Sequence, residues 1–158
     1  MFESLWNWIY ELGISATVRE SSWVFPTLEC IHLYSMVFLI GIVSAFDLRL
    51  MGISLEDQPL SHYSKLVRRW VWIPLIVNTI TGTLLFMSKP MEYSANLAFV
   101  MKMTILFLGV VYHAVIVSKA DRWSNLAKMP AGVGLLGAVS LVFWLGVLAS
   151  SRWIAYVI

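Results

Sequence analysis

Charged side chains are scarce in this chain. Asp, Glu, Lys and Arg make up 13% of its 158 residues, about half the share of an average soluble domain. The net charge of +2 does not indicate nucleic-acid binding. Cysteine occurs once, at Cys30, so no disulfide can form within the chain. Neither a glycine-rich phosphate loop nor a nucleophile elbow is present. The sequence therefore lacks the signs of a disulfide-stapled domain, a nucleic-acid binder or a phosphate-loop enzyme.

Apolar residues are abundant instead. They form 59% of the chain, and the mean hydropathy is +0.79. Four stretches are long enough to cross a bilayer, which takes about 20 residues. They are Trp23–Leu50, Trp70–Met87, Ala95–Ser118 and Ala131–Ser150. Because the connections between them are short, we expect an all-α integral membrane protein: a four-transmembrane-helix antiparallel bundle that forms one domain over residues 21–158.

The first 20 residues differ from the four apolar stretches. Their large apolar side chains recur at helical spacing, and acidic and amide side chains lie between them. The apolar positions are Phe2, Leu5, Trp6, Ile9 and Leu12. This pattern predicts an N-terminal amphipathic helix within residues 1–20 that lies in the membrane interface.

Basic residues predict the orientation of the bundle. Lys and Arg concentrate in cytoplasmic loops, and here they cluster in the first and third connections. These residues are Arg49, Lys65, Arg68, Arg69, Lys119, Arg122 and Lys128. The second connection has only Lys89. We therefore expect a multi-pass protein of the inner (plasma) membrane with both termini in the periplasm.

Polar residues recur inside the apolar stretches at one depth near the predicted periplasmic side. Glu29 and His32 are one helical turn apart and share a helix face. His32 and Asn78 each lie roughly 13 Å below their outer ends, and Lys102 lies roughly 10 Å down. Ser140 is expected near the same level. Because ionisable groups at membrane depth cost several kcal/mol on some scales, this outer polar layer is a candidate functional site.

A second polar layer is predicted near the cytoplasmic side. His113 lies roughly 27 Å from the outer end of its span. Asp47 and Arg49 lie near the inner end of the first span, where the plainer interpretation is that they form a structural ion pair or anchor the end of the helix. His62 is expected in the first cytoplasmic connection. Lys102, Gly109 and His113 follow one helical stripe, and Glu29 and Asp47 follow another, so the two stripes could face each other.

Haem b suits these residues. Neutral imidazole is an axial ligand of haem iron, and four-helix bundles house haem between facing helices. We expect His32 and His113 to be the iron ligands of up to two haems, with His62 as a possible partner of His113. Gly109, one turn before His113, leaves room for a flat group or for a neighbouring helix. Glu29 and Lys102 are the candidate catalytic residues, which would supply charge and protons.

Two other functions remain open from the residues. Glu29, His32 and a neighbouring residue could hold a single non-haem copper or iron ion, including between subunits. Alternatively, the polar layers could hold helices together in a non-catalytic membrane subunit. Besides the lipid bilayer, the expected partners are further copies of the chain in a homo-oligomer, and a quinone or a redox partner protein.

One stretch resembles a family. Glu29-Cys30-Ile31-His32, then Gly41, then Asp47-Leu48-Arg49-Leu50-Met51-Gly52 is similar to small, uncharacterised bacterial four-span membrane proteins that carry E-x-x-H and D-L-R-L-x-G. The run from Asn96 to Lys102 and the pair Tyr112-His113 resemble the third span of the same family. The resemblance covers about residues 25–118 and implies a bacterial membrane protein.

The chain also resembles, more distantly, the HemJ-type protoporphyrinogen oxidases. Those are four-span membrane proteins that bind haem b and have a first-span histidine and a later lysine. His32 and Lys102 are the matching positions. The tryptophan and the tyrosine–leucine–proline–arginine run that usually follow this histidine are missing here. The resemblance therefore implies haem binding more strongly than the oxidase activity.

Overall fold

The computed structural model describes residues 2–54, 58–126, 130 and 132–157, and over these ranges the chain forms eight α-helices. They are α1 (Phe2–Glu11), α2 (Gly13–Glu20), α3 (Val24–Leu50), α4 (Leu60–Trp70), α5 (Trp72–Ser88), α6 (Pro90–Ala95), α7 (Leu97–Ser124) and α8 (Val133–Val157).

The helices provide four membrane spans. The segments long and apolar enough to cross a bilayer are Val24–Leu50, Leu60–Ser88, Leu97–Ser124 and Val133–Ile154. The all-α, four-span fold is thus confirmed. Ala131, the predicted start of the fourth span, and Lys128 of the third connection lie outside the described residues.

The second span begins earlier than predicted, and its helical hydrogen bonding is interrupted near the middle, although Val71 keeps a helical backbone with φ −64° and ψ −30°. It starts at Leu60 rather than Trp70, and α4 and α5 meet at Val71. Pro74 lies three residues further on. Proline has no N–H to donate to the carbonyl of Trp70, and its ring crowds that carbonyl, so the helix is interrupted here.

The helices also extend into the predicted basic connections. The third span ends at Ser124 instead of Ser118. The predicted loop residues Lys65, Arg68, Arg69, Lys119 and Arg122 accordingly lie on α4 and α7. Helices extend past the apolar window because backbone hydrogen bonding continues through polar residues at the membrane surface.

The N-terminal segment forms two helices instead of one. Leu12 has an extended backbone and separates α1 from α2. The Ser15 hydroxyl, which is fully buried, donates to the carbonyl of Ile9 at 2.6 Å and ties the two helices together. Both helices pack on α5; α1 also contacts α6, and α2 also contacts α3. Their position in the membrane interface stays a prediction.

The two ends of the bundle are built differently. At the end that carries α4, which we call the α4 end, the helices α3, α4, α7 and α8 contact one another in a closed ring. At the opposite end, which we call the α6 end, α5 packs on α3 and α2. It has no close backbone contact with α7. Although α5 and α7 are both described in full, no Cα pair between them lies within 8 Å. The backbones of α5 and α7 are therefore farther apart than those of the helix pairs in contact, and the two helices meet through side chains such as Phe86 and Phe99.

The apolar core follows this asymmetry. A cluster of buried side chains fills the α4 end: Phe46, Leu50, Leu60, Val67, Ile116, Val117, Ala120 and Val133. A smaller cluster, Leu39, Val43 and Trp144, lies above it. At the α6 end, aromatic rings close the top instead: Phe86 stacks on Phe99 and contacts Trp6 edge-on. Burial raises the pKa of the neighbouring Tyr93 phenol above its ordinary value.

Two residues of the family-like stretches end or begin helices. Gly52 has a φ of 69°, which glycine adopts without a steric penalty. Its N–H donates to the carbonyl of Arg49, and the N–H of Ile53 donates to that of Leu48, as in a Schellman motif. The Asn96 side chain accepts from the N–H groups of Ala98 and Phe99 and begins α7.

Candidate functional site

Asp47, His113 and Ser140 form a buried polar cluster, which we call the His113 cluster. They come from α3, α7 and α8 and expose 0%, 5% and 1% of their surface. The imidazole Nδ1 lies 3.1 Å from the Ser140 hydroxyl and 3.6 Å from Asp47 Oδ1. A carboxylate and a hydroxyl beside one ring nitrogen orient the ring, and which of them Nδ1 bonds to determines its tautomer.

The close approach of α8 to α3 places Ser140 in this cluster. A Cβ atom built on Gly137 would lie only 2.7 Å from the backbone carbonyl oxygen of Asp47. Only glycine permits this distance. A Cβ atom built on Gly134, one turn earlier, would lie 3.5 Å from its nearest neighbour, Met51 Cα. The fold therefore holds the helices at the separation that brings Ser140 to His113.

Several buried polar atoms near the cluster have no hydrogen-bond partner among the described residues. They are both carboxylate oxygens of Asp47, Nε2 of His113 and Nε1 of Trp144. A buried donor or acceptor without a partner costs about 1–3 kcal/mol. Such atoms are rare in folded proteins and call for a bound water, ion or ligand. The His113 cluster is therefore the strongest candidate site.

A cavity of about 210 Å³ lies beside His113. Its wall is mainly apolar and comes from α3, α4, α5, α7 and α8. His113 and Trp144 both contribute to the wall, and their rings meet edge-on with centroids 6.2 Å apart. Trp72 on α5 and Ala114 and Ser118 on α7 also line the cavity and are exposed. Because these three lie at the surface, the cavity opens between α5 and α7.

A second polar group, the His32 network, joins α3 to α5 and consists of His32, Ser35, Asn78 and Thr81. The buried imidazole Nδ1 lies 3.0 Å from the Thr81 hydroxyl. Asn78 Nδ2 donates to the carbonyl of His32 and to the hydroxyl of Ser35, each at 3.0 Å. A Cβ on Gly82 would lie 3.0 Å from His32 Cε1, so the glycine provides space for the ring.

Lys102 and Glu29 relate differently to His32. Lys102 is partly buried on α7, and its charge acts on His32 across the space between the helices. Glu29 is exposed, and the described ion pairs do not join it to Lys102. Of the predicted outer layer, the structure thus joins His32 to Asn78 by a hydrogen bond. Lys102 interacts with His32 only electrostatically, and Glu29 stays on the surface.

Two expectations about the layers are wrong. Ser140 belongs to the His113 cluster and not to the outer layer. Asp47 lies beside His113, whereas the Arg49 guanidinium donates to the carbonyl of Gln58 at 3.0 Å. The stripes of α3 and α7 do meet at the His113 level, where His113 Nδ1 lies 3.6 Å from Asp47 Oδ1 and the His113 and Phe46 rings are edge-on, although no Cα pair of the two helices lies within 8 Å.

For Gly109 the neighbouring-helix alternative is confirmed, whereas the expected place of His62 needs correction. A Cβ on Gly109 would meet Cβ of Phe143 at 3.3 Å, so α8 already fills the space beside Gly109. His62 lies on α4 and not in a loop. It is exposed, and its described ring contact is with Tyr63. The predicted pairing of His62 with His113 is not supported by any contact between the described residues.

Sequence reasoning missed two features of the site. Trp144 lies mid-span, away from the interfaces where tryptophan usually concentrates, and one turn after Ser140. Its depth and its spacing from Ser140 both indicate a place in the polar site. Arg68 binds Asp121 at 2.7 Å and the carbonyl of Val117 at 3.2 Å, linking α4 to α7. The 53-residue separation of this pair hides it from local patterns.

The two predicted kinds of cofactor, a non-haem metal ion and haem, fit the described residues to different degrees. No group of three His, Cys, Asp or Glu side chains comes together within the described ranges, so one chain does not supply a typical non-haem metal site there. For haem, the donor chemistry fits: both buried histidines are held through Nδ1, which leaves Nε2 for a ligand. The cavity at His113, however, is smaller than the about 300–1,000 Å³ of typical ligand pockets and cannot enclose a tetrapyrrole.

Comparison with known proteins gives one match. Residues 12–157 match the family described as DUF6644, a family of unknown function. No curated protein and no solved structure matches the chain.

Proposed function

Since this chain belongs to the DUF6644 family, which carries no function, we propose one from its buried histidines: a haem b-binding membrane protein that acts in electron transfer or membrane-linked oxidation. The observation that carries the proposal is the environment of His32 and His113. Each imidazole is buried in an apolar bundle and held through Nδ1 by a hydroxyl on a neighbouring helix. This arrangement is common for histidines that bind a metal through Nε2.

His32 is the better candidate for the iron ligand. The backbones of α5 and α7 lie farther apart than those of the helix pairs in contact, and a flat group at the His32 level would extend between these two helices. Lys102 provides a cation at this level, which would bind a haem propionate. Thr81 holds the imidazole, and Gly82 leaves the ring its space. When bound, haem would supply one-electron chemistry; the protein supplies a fixed ligand, a positive charge and a water-poor surrounding.

The test is a visible spectrum of the detergent-purified protein, together with its metal content. We expect a Soret band. Iron or copper without that band would support the non-haem site instead, and neither haem nor metal would support a non-catalytic membrane subunit. Either of these results contradicts the proposal.

Thr81→Val tests the role of the hydroxyl that holds His32. Valine keeps the shape but cannot bond Nδ1, so we expect haem affinity to fall about 10–100-fold, as for other partners of metal-bound histidines. Thr83→Val is the matched control: Thr83 is exposed, and its hydroxyl donates only to the carbonyl of Thr79 on its own helix. Haem titration should separate the two variants; equal affinity would assign Thr81 no role in haem binding.

A further inference from the structure

The cavity beside His113 has a shape and chemistry that the proposed haem site does not use. It is about 210 Å³ in volume and mostly apolar. Two polar groups on its wall are nine-tenths or more buried: His113 exposes 5% and Trp144 exposes 3% of its surface. Nε2 of the imidazole and Nε1 of the indole have no partner among the described residues. The described residues thus leave one ring nitrogen of each wall residue without a hydrogen-bond partner.

We propose that this cavity binds the ring of a lipid-soluble quinone or quinol. A ring of this kind is planar and apolar over its faces and carries oxygen atoms at its edge. Trp144 can only donate a hydrogen bond, whereas Nε2 of His113 can accept or donate, depending on the tautomer. A quinol hydroxyl that reaches both nitrogens would donate to His113 and accept from Trp144. A quinone carbonyl accepts from either nitrogen that carries a proton.

The tautomer of His113 connects the ligand to Asp47. With Asp47 ionised, its carboxylate favours the proton on Nδ1, 3.6 Å away, so that Nε2 accepts from a quinol. If Nδ1 instead accepts from the Ser140 hydroxyl, Nε2 carries the proton and donates to a quinone. Arg68, the other charged residue on the wall, is already bound to Asp121, Ser64 and the carbonyl of Val117. Recognition therefore falls to His113 and Trp144.

The size and position of the cavity favour a membrane-borne ring over other ligands. Its volume is below that of pockets for drug-sized molecules, about 300–1,000 Å³, so it accepts one or two fused rings but not a tetrapyrrole. Its mouth lies between Trp72 on α5 and Ala114 on α7. A long alkyl or isoprenoid tail can leave through this mouth into the lipid.

The choice of a quinone among ring-bearing lipids rests on the proposed redox function, whereas the binding of a ring with a polar edge rests on the cavity alone. The probe is a decyl-tailed benzoquinone and its chemically reduced quinol, added to purified protein in detergent. Free and bound probe are separated by ultrafiltration and measured by absorbance. Decylbenzene, which has a ring and tail but no oxygen, serves as the comparison ligand.

Three variants are compared with the parent protein, and Val115→Phe is the matched control for Ala114→Phe. Ala114→Phe fills the mouth, and Val115→Phe adds the same ring to the next exposed position, which does not line the cavity. Trp144→Phe removes one N–H and keeps an aromatic ring. We expect saturable binding to the parent and to Val115→Phe, at least tenfold weaker binding to Ala114→Phe, and about tenfold weaker binding to Trp144→Phe.

The outcomes distinguish this inference from the haem proposal. Equal uptake by all four proteins would mean partition into detergent only and would overturn the site. Decylbenzene that binds as tightly as the quinone would overturn recognition by His113 and Trp144. Saturable quinone binding to protein without a Soret band would support the cavity site and sink the haem proposal. A Soret band without quinone binding would do the reverse.

Discussion

Gly137→Val is expected to prevent correct assembly of the bundle. Even a single Cβ at this position would lie 2.7 Å from the carbonyl oxygen of Asp47, a backbone atom that cannot rotate away. Overpacking in a core costs about 1–3 kcal/mol per site, and valine adds two further methyl groups. The helices α8 and α3 would have to separate, which also removes Ser140 from His113.

The matched control is Gly41→Val. Gly41 also lies in a membrane span, but it is exposed, and a Cβ added there would meet no atom within 4 Å. Both variants, fused to a fluorescent protein, are measured by size-exclusion chromatography in detergent after stepwise heating. We expect Gly137→Val to aggregate at temperatures where Gly41→Val and the parent stay monodisperse. Identical profiles would show that the contact between α8 and α3 is not essential.

The sequence predicts the spans because apolar length is a local property. Each of the four stretches corresponds to a membrane span, and the largest differences lie at Leu60 and Ser124, where helices continue through polar residues. The sequence does not predict the break at Val71 as readily, although Pro74 gives its physical cause. Nor does it predict the separation between the backbones of α5 and α7, which depends on how all the helices pack together.

The polar layers are harder to predict because depth and facing depend on the neighbouring helices. The sequence places His32 with Asn78, and His113 with Asp47, at the correct levels relative to each other. It misplaces Ser140, since depth counted along the shorter stretch Ala131–Ser150 differs from depth along α8, which runs from Val133 to Val157. The seven residues from Val133 to Ser140 place Ser140 roughly 10 Å from the α4 end, beside His113.

The family-like motifs combine structural and chemical residues, which sequence alone does not separate. In the stretch Asp47–Gly52, the glycine ends α3 and the aspartate belongs to the His113 cluster. In the stretch Asn96–Lys102, the asparagine begins α7 and the lysine acts on His32. Within each stretch, a helix end therefore fixes the register of a polar residue inside the bundle. A homo-oligomer stays a prediction: Gly134 and Gly137 are used within the chain, whereas Gly41 is exposed.

His32→Ala is expected to remove all haem from the protein. The chain has three histidines. His32 is the one whose imidazole lies near the positive charge of Lys102, which would balance the negative charge of a haem propionate. Without the imidazole, the neighbouring side chains of Thr81 and Asn78 offer no comparable iron ligand. Haem is quantified from the spectrum of its pyridine complex and is expressed per protein chain, with each variant first checked for monodispersity.

The two other histidines are the controls for this experiment. His62→Ala should keep the haem of the parent, because His62 is exposed and contacts Tyr63. His113→Ala should also keep it but lose quinone binding, because the imidazole belongs to the smaller cavity. If His32→Ala instead retained about half of the haem and only the double variant lost the rest, His113 would be a second iron ligand. The two-haem arrangement predicted from the sequence would then replace the quinone site, and the His113 cluster would serve to hold that ligand through Nδ1.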